Sequence, residues 1–171
     1  MLSRVLQILF LALSFFPSDA VFAYHIPTPF LEAVRKEAIE ALEKAYVVRP
    51  RQIYLDLMIA LYNAQLVVVD MRTARTLPAM ECLQDNFGGF VISKTPNIIY
   101  TCPDLHEAFQ VHGPSTYVPH FIHEAVHTLG ILDECEATKI QVSASMDAGI
   151  IQPLISPKYL KECKLNLRFR L

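Results

Sequence analysis

The hydrophobic pattern in the first half of the chain predicts two helices followed by a buried strand. Between residues 29 and 46, apolar side chains recur at helical spacing among charged ones, so we expect an amphipathic helix. The segment Gln52 to Asn63 is rich in Leu, Met and Ala, which predicts a second helix. The run Gln65 to Asp70, with Leu and three Val in a row, is typical of a buried strand.

Two further runs of strand-forming residues follow a basic segment, Met71 to Pro78, which we interpret as a turn. Residues 89–93 and 97–102 are rich in Val, Ile, Tyr and Phe, and a short connection containing Pro96 separates them. We therefore expect them to pair as neighbouring strands. Together with the helices, they predict one α+β domain in which helices pack on a small, mostly antiparallel sheet.

The second half of the chain predicts two more helices in close succession. The first extends from about Tyr117 to Leu129, with Pro119 near its start, where proline is tolerated. Gly130 then ends it as a C-cap residue would. A second helix opens at Asp133, the expected N-cap, and Glu136 three residues later would complete a capping box.

The amino-terminal residues have the features of a secretory signal rather than of a folded element. Arg4 precedes an apolar run from Val5 to Phe16, and Val21-Phe22-Ala23 offers small residues for cleavage. The run is shorter than the roughly 18 apolar residues that span a bilayer. We expect a signal peptide at residues 1–23, a single domain at 24–171, and a secreted or periplasmic protein without stable membrane association after cleavage.

Charge and cysteine content limit the classes of function. The formal net charge of -2 gives no indication of a nucleic-acid or anionic-membrane partner. An even count of four cysteines in an exported chain predicts two disulfides. Of three possible connectivities we favour Cys82–Cys102, which would brace a hairpin, and Cys135–Cys163, which would pin the carboxyl-terminal tail. The competing interpretation makes Cys135 a thiolate metal ligand.

The candidate chemistry lies in the segment His123-Glu124-Ala125-Val126-His127. On a helix, residues i and i+4 share a face, so both imidazoles can reach one metal ion. Glu124 then lies beside the open coordination position, where it can accept a proton from bound water. This pattern predicts a zinc site with His123 and His127 as ligands and Glu124 as general base.

A third ligand is needed, and Asp133 and Glu136 are the two principal candidates. Asp133 gives the spacing His-Glu-x-x-His-x-x-Gly-x-x-Asp, which resembles the metzincin pattern over about 11 residues. It is closer still to small secreted bacterial proteases of the snapalysin type, in which an Asp replaces the third His. The resemblance implies a zincin-like fold and a zinc-dependent endopeptidase. It also implies a Met-containing turn beneath the metal, for which Met146 is the candidate.

Glu136 is the alternative ligand, presented by the first turn of the following helix as in glutamate-ligand zincins. The string Asp-Glu-Cys-Glu-Ala also resembles uncharacterised exported bacterial proteins that carry His-Glu-x-x-His and then Asp-Glu-x-x-Ala. Glu134 and Cys135 are the remaining options. An acid that does not bind the metal could orient a histidine ligand from outside the coordination sphere.

These residues predict a secreted, monomeric zinc metallopeptidase with one Zn²⁺ per chain that acts on a peptide or protein substrate. His120 and Tyr117, which precede the motif, are candidate donors to the developing oxyanion. Residues 97–101 or 89–93 could form an edge strand that pairs with an extended peptide. The alternative class is a non-catalytic exported protein that holds metal or binds a partner through the same residues.

Overall fold

The computed structural model describes residues 29–73, 76–85, 89–103, 112–150 and 157–165. They contain six α-helices: α1 (Pro29–Val48), α2 (Gln52–Asn63), α3 (Leu77–Asp85), α4 (Val118–Thr128), α5 (Glu134–Asp147) and α6 (Pro157–Glu162). Three strands are present in the same ranges: β1 (Gln65–Val68), β2 (Gly89–Val91) and β3 (Ile98–Thr101). The signal sequence expected at residues 1–23 lies outside the described residues. Over the ranges described, none of the helices combines the length and apolar character needed to cross a membrane.

The helices and strands expected from the hydrophobic pattern are confirmed with small changes at their ends, and the described residues contain two further helices, α3 and α6. Helix α3 begins at Leu77, within the segment interpreted as a turn, Met71 to Pro78, and continues to Asp85. In the described part of that segment, Met71–Thr73 forms a 3₁₀-helix. Pro78 is the second residue of α3, a place where proline removes no intrahelical hydrogen bond. The interpretation of Pro78 as part of a turn was therefore wrong.

The sheet is mixed, whereas we expected it to be mostly antiparallel. Strand β3 lies in the centre, parallel to β1 and antiparallel to β2. The parallel pairing is possible because the chain between β1 and β3 includes α3 and β2, which is long enough for a crossover. The α+β class is confirmed, with helices packed against a three-stranded sheet.

The two faces of the sheet contribute to different apolar clusters. Leu66 and Ile99 belong to the main core, which they share with the long helices. Their neighbours Val67 and Tyr100 point the other way and form a second cluster with Ala79 of α3. This alternation follows from the two-residue period of a strand. The sheet therefore separates α3 from α4, the helix that carries the histidines.

Helix α1 lies at the centre of the main core and contacts α2, α4 and α5. Its inward face consists of Leu31, Val34, Ala38, Ala41, Leu42 and Ala45. The small alanines allow neighbouring helices to approach closely, and the fully buried Leu and Val side chains fill the space between them. As a result α4 is enclosed by other elements on most of its surface, and its polar residues are buried with it.

Both expected disulfides are confirmed. Cys82–Cys102 joins α3 to the end of β3, so it fastens the second apolar cluster at its margin. Cys135–Cys163 joins the first turn of α5 to the residue just after α6. Disulfides of this kind are typical of proteins that fold in an oxidising compartment. The bonds also exclude a thiolate ligand at Cys135 in the folded, oxidised chain.

Candidate metal centre

Helix α4 carries His123, Glu124 and His127 on a segment that is almost wholly buried. A 3₁₀-helix over Pro114–Tyr117 leads into it, and Pro119 lies in its first turn. The surrounding apolar residues, such as Phe121, Ile122 and Val126, direct the helix into the core. The sequence prediction of a buried motif helix is thus confirmed.

The end of α4 fixes the orientation of the His127 ring. Gly130 adopts a φ of +84°, which turns the chain as a C-cap glycine does. The turn brings the carbonyl oxygen of Ile131 to 2.7 Å from His127 Nδ1. A carbonyl can only accept, so Nδ1 carries the hydrogen and donates it. His127 Nε2 is therefore the ring nitrogen available for another interaction.

Helix α5 fixes the second ring in the same way. Gln141 is buried, and its side-chain oxygen lies 3.1 Å from His123 Nδ1. This amide oxygen accepts the Nδ1 hydrogen, which leaves His123 Nε2 directed at the same point as His127 Nε2. The two Nε2 atoms lie 3.1 Å apart. The acceptors at the two Nδ1 atoms therefore orient both imidazoles so that their Nε2 atoms face each other.

Glu134, the first residue of α5, brings a carboxylate to these two nitrogens. Its oxygens lie 3.1 Å from His123 Nε2 and 3.3 Å from His127 Nε2. Within the described residues, these three side chains form a group whose ligand atoms could hold one metal ion. A tetrahedral zinc with bonds of about 2.0–2.1 Å separates its ligand atoms by about 3.3 Å. The donor spacing therefore fits such an ion.

The electrostatics of this group favour a positive charge at its centre. Burial alone would lower the pKa of His127, but the hydrogen bond to Glu134 and the charge of Glu124 outweigh it and raise that pKa to about 9. The pKa of Glu134 is lowered below its usual range by its hydrogen bonds to His123 and His127. The site thus stabilises a cationic imidazole beside an ionised carboxylate. This indicates that it can bind a positively charged ion.

Glu124 is buried on the same helix and is not one of the three converging side chains. Burial raises its pKa to about 8, against the attraction of His127. Its Oε1 lies 3.6 Å from His120 Nε2. Among the described residues, neither Glu124 Oε2 nor His120 Nε2 has a hydrogen-bond partner, although both atoms are buried. Two unsatisfied polar atoms beside a metal-binding geometry are suited to contact a water or a substrate.

His120 lies where α4 meets strand β2, and Gly89 makes this approach possible. A Cβ at position 89 would lie 2.9 Å from His120 Nε2 and 3.0 Å from the carbonyl oxygen of Tyr100. The first distance is shorter than real Cβ contacts and the second is tighter than most, so a side chain here would displace His120 or the neighbouring strand, and the close packing of β2 on α4 favours glycine. Burial and the charges of His123 and His127 lower the pKa of His120 to about 3, so this ring is neutral. Tyr117, the other expected donor, is buried just before α4.

Asp133 and Glu136, the two acids expected as third ligand, lie outside the group formed by the histidines and Glu134. The side chain of Asp133 accepts a hydrogen bond from the backbone N–H of Glu136 at 2.7 Å, which confirms it as the N-cap of α5. Glu136 is exposed. Neither is part of the group formed by His123, His127 and Glu134. The carboxylate that the structure brings to the histidines is therefore Glu134, which the sequence offered only as a lesser alternative.

Met146 does not form the turn that the metzincin resemblance implied. It lies in the last turn of α5 and is 45% exposed, so it is not beneath the histidines. The helical run after Asp133, which a metzincin does not usually have at this place, explains the difference. The expectation for Met146 was wrong.

Two further residues at the site received no role from the sequence. Gln141 follows Glu134 by seven residues, the spacing that returns to the same face of a helix, so α5 could have been expected to offer both. Tyr159 on α6 hydrogen-bonds to Glu134. The signal for Tyr159 was its position four residues before Cys163, which the expected disulfide links to the neighbour of Glu134.

Comparisons with models of protein families, with curated proteins and with solved structures found no match for this chain. Any function assigned to it depends on the chemistry of its own residues.

Proposed function

We propose that this protein is a zinc-dependent metallopeptidase in which His123, His127 and Glu134 are the metal ligands. The observation that carries the proposal is the convergence of two Nε2 atoms and a carboxylate at tetrahedral spacing. Three protein ligands leave a fourth position for water, which is the arrangement of catalytic rather than structural zinc sites. Two imidazoles and one carboxylate are also a donor set well suited to zinc.

The residues around the ligands supply what peptide hydrolysis needs. Zinc in such a site lowers the pKa of its bound water to about 7 and polarises a carbonyl. Glu124 would accept the proton of that water and later pass it to the leaving amine. Its raised pKa would fall when a cation occupies the group, because a nearby positive charge favours the carboxylate. A metal holder without turnover has no use for a second carboxylate at this place, one of whose oxygens, Oε2, makes no hydrogen bond within the described residues.

The sheet suggests how a peptide substrate would be held. Strand β3 is paired on both sides, which removes residues 97–101 as an edge for a substrate. Strand β2 pairs with β3 alone in the described part of the chain, and it lies against α4 near His120. An extended peptide that added to the outer side of β2 would pass close to Glu124 and the metal group. Neutral His120 could then donate a hydrogen bond to the substrate carbonyl.

The test is zinc content together with peptidase activity, measured for the wild type and for His127→Ala. We expect about one zinc per wild-type chain by elemental analysis, and loss of that zinc in the variant. Incubation with casein, followed by mass spectrometry, should give fragments only with the zinc-loaded wild type. Absence of zinc in the wild type would overturn the proposal. Bound zinc without fragments would leave a metal-holding protein in place of a peptidase.

Zinc affinity should rise with pH through the neutral range. Zinc must displace the proton of His127, whose pKa of about 9 lies above the ordinary value of 6.5 for an imidazole. Below that pKa the His127 proton leaves when zinc binds, and below about pH 8 the proton of Glu124 adds to it, so the apparent affinity should increase by at least about tenfold per pH unit and level off above about pH 9. Competition with a chelator of known pH dependence would measure this. An affinity that does not change between about pH 6 and pH 8 would contradict the raised pKa.

A further inference from the structure

Tyr159 approaches the metal group from a part of the chain remote from the motif. It lies on α6 and is partly buried, and its phenol donates a hydrogen bond to the Glu134 carboxylate. Burial, the charge of Glu134 and this hydrogen bond raise its pKa above the ordinary value, and the charge of Glu124 adds to the effect. A phenol with an ordinary pKa of about 10 is already protonated at neutral pH, so the hydroxyl can donate to the carboxylate.

A covalent bond holds Tyr159 in this place. The backbone N–H of Cys163, one helical turn later, donates to the carbonyl oxygen of Tyr159 at 2.9 Å. Cys163 is bonded to Cys135, the residue after Glu134, with their Cα atoms 5.0 Å apart. The turn of α5 that presents the carboxylate is thus tied directly to the helix that presents the phenol. Helix α6 is only six residues long, too short to be stable without such an attachment.

Each of the other two proposed ligands has an acceptor that fixes its orientation. Ile131 accepts from His127 and Gln141 accepts from His123. The side chain of Glu134 is 48% exposed, so packing alone does not restrict its rotamer. A flexible, half-solvated carboxylate loses side-chain entropy when it binds a metal, and a hydrogen bond that orders it beforehand reduces that loss.

We propose that Tyr159 is a positioning residue that orients the Glu134 carboxylate for metal binding, and that the Cys135–Cys163 disulfide keeps it there. The inference rests on the proposed function, because it takes Glu134 as a metal ligand. Tyr159 contacts the ligand and not the metal, so its effect should be on zinc affinity. At saturating zinc, catalysis should be close to that of the wild type.

The experiment is a chelator competition that compares zinc affinity in the wild type, Tyr159→Phe and Tyr62→Phe. Tyr62 is 77% exposed on α2, so its variant makes the same chemical change away from the metal group. We expect affinity to fall about 10–100-fold in Tyr159→Phe, the range typical of an outer-shell hydrogen bond, and to stay unchanged in Tyr62→Phe. Thermal unfolding of the metal-free variants shows whether the fold is intact.

The disulfide provides a second, independent variant. Replacing both Cys135 and Cys163 by serine should lower zinc affinity by a similar factor, and adding Tyr159→Phe should lower it little further, because both changes remove one interaction. The matched control replaces Cys82 and Cys102, which should lower stability without changing zinc affinity. If the Tyr159→Phe protein did not fold, equal zinc affinity in the wild type and in the Cys135/Cys163 double variant would overturn the proposal.

The outcomes separate the two proposals. A wild type that binds zinc, beside a folded Tyr159→Phe protein of equal affinity, would overturn the role of Tyr159 and leave the proposed function standing. Activity that stays low in Tyr159→Phe at saturating zinc would also overturn positioning, because the phenol would then act on the substrate. A wild type that binds no zinc would overturn the proposed function, and the role of Tyr159 would fall with it.

Discussion

Replacing Glu124 by glutamine should leave zinc bound and lower peptidase turnover by about 10²–10⁴-fold, the usual contribution of a general base. Glutamine has the size and shape of glutamate but cannot take a proton from water. Glu124 is not among the three converging side chains that we propose as ligands, so the substitution should not change how they bind zinc. Zinc content and the rate of casein cleavage measure the two effects. Glu136→Gln makes the same chemical change at an exposed position and should alter neither.

The stability of the metal-free Glu124→Gln protein gives an independent check on the burial of this carboxyl. Its pKa is about 8 in the folded chain, against an ordinary 4.5, so the folded state holds a proton that the unfolded state releases. The contribution of Glu124 to stability is therefore fully present below about pH 4.5 and is lost as pH rises through about 8. Urea unfolding of the variant should lack this loss. Full turnover in the variant would show that another group is the base, and loss of zinc would show that Glu124 is a ligand.

Replacing Glu134 by alanine should weaken zinc binding by more than the roughly 100-fold upper range of outer-shell changes, because it removes one of three ligands. Asp133→Asn and Glu136→Gln should each leave the affinity unchanged. Asparagine caps a helix as well as aspartate does, so the first of these keeps the start of α5 intact. Chelator competition on the three variants decides which acid binds. If Asp133→Asn lost zinc affinity and Glu134→Ala did not, the ligand would be Asp133, as the metzincin resemblance implies.

Local features of the fold were accessible from the sequence because each depends on neighbouring residues. The periodicity of residues 29–46 predicts α1, and the boundaries of α2 match those expected from its composition. Gly130 and Asp133 were correctly expected at the end of α4 and the start of α5. The pairing of the four cysteines is the one that we favoured, although nothing in the sequence excluded the other two connectivities.

The acid that meets the two histidines could not be identified from spacing, because its identity depends on the direction in which α5 leaves the turn after α4. Asp133 has the register of the metzincin pattern, but its carboxylate caps the helix. That capping orients α5 so that the next residue, Glu134, faces the histidines. A difference of one residue on a helix is about 100° of rotation, and only the tertiary packing of α5 against α4 determines it.

The mixed sheet and the position of Tyr159 were missed for a related reason. Strand order depends on the crossover through α3, a helix that the basic residues and Pro78 concealed. The packing of α6 depends on a bond between residues 28 positions apart in the chain. Neither arrangement leaves a periodic pattern in the sequence. Contacts between remote segments are therefore the part of this site that required a structure.

The two disulfides follow one another along the chain, and this order has a consequence for how the protein acquires them. The loop from Cys82 to Cys102 closes completely before Cys135 is reached, so neither bond encloses or crosses the other. A chain that is exposed amino end first to an oxidant can form each bond with the nearest available partner, and needs no later thiol–disulfide exchange to correct it. Each closure lowers the conformational entropy of the unfolded chain. For loops of this size, that raises the free energy of unfolding by about 3 kcal/mol. The histidine helix lies between these two closed loops.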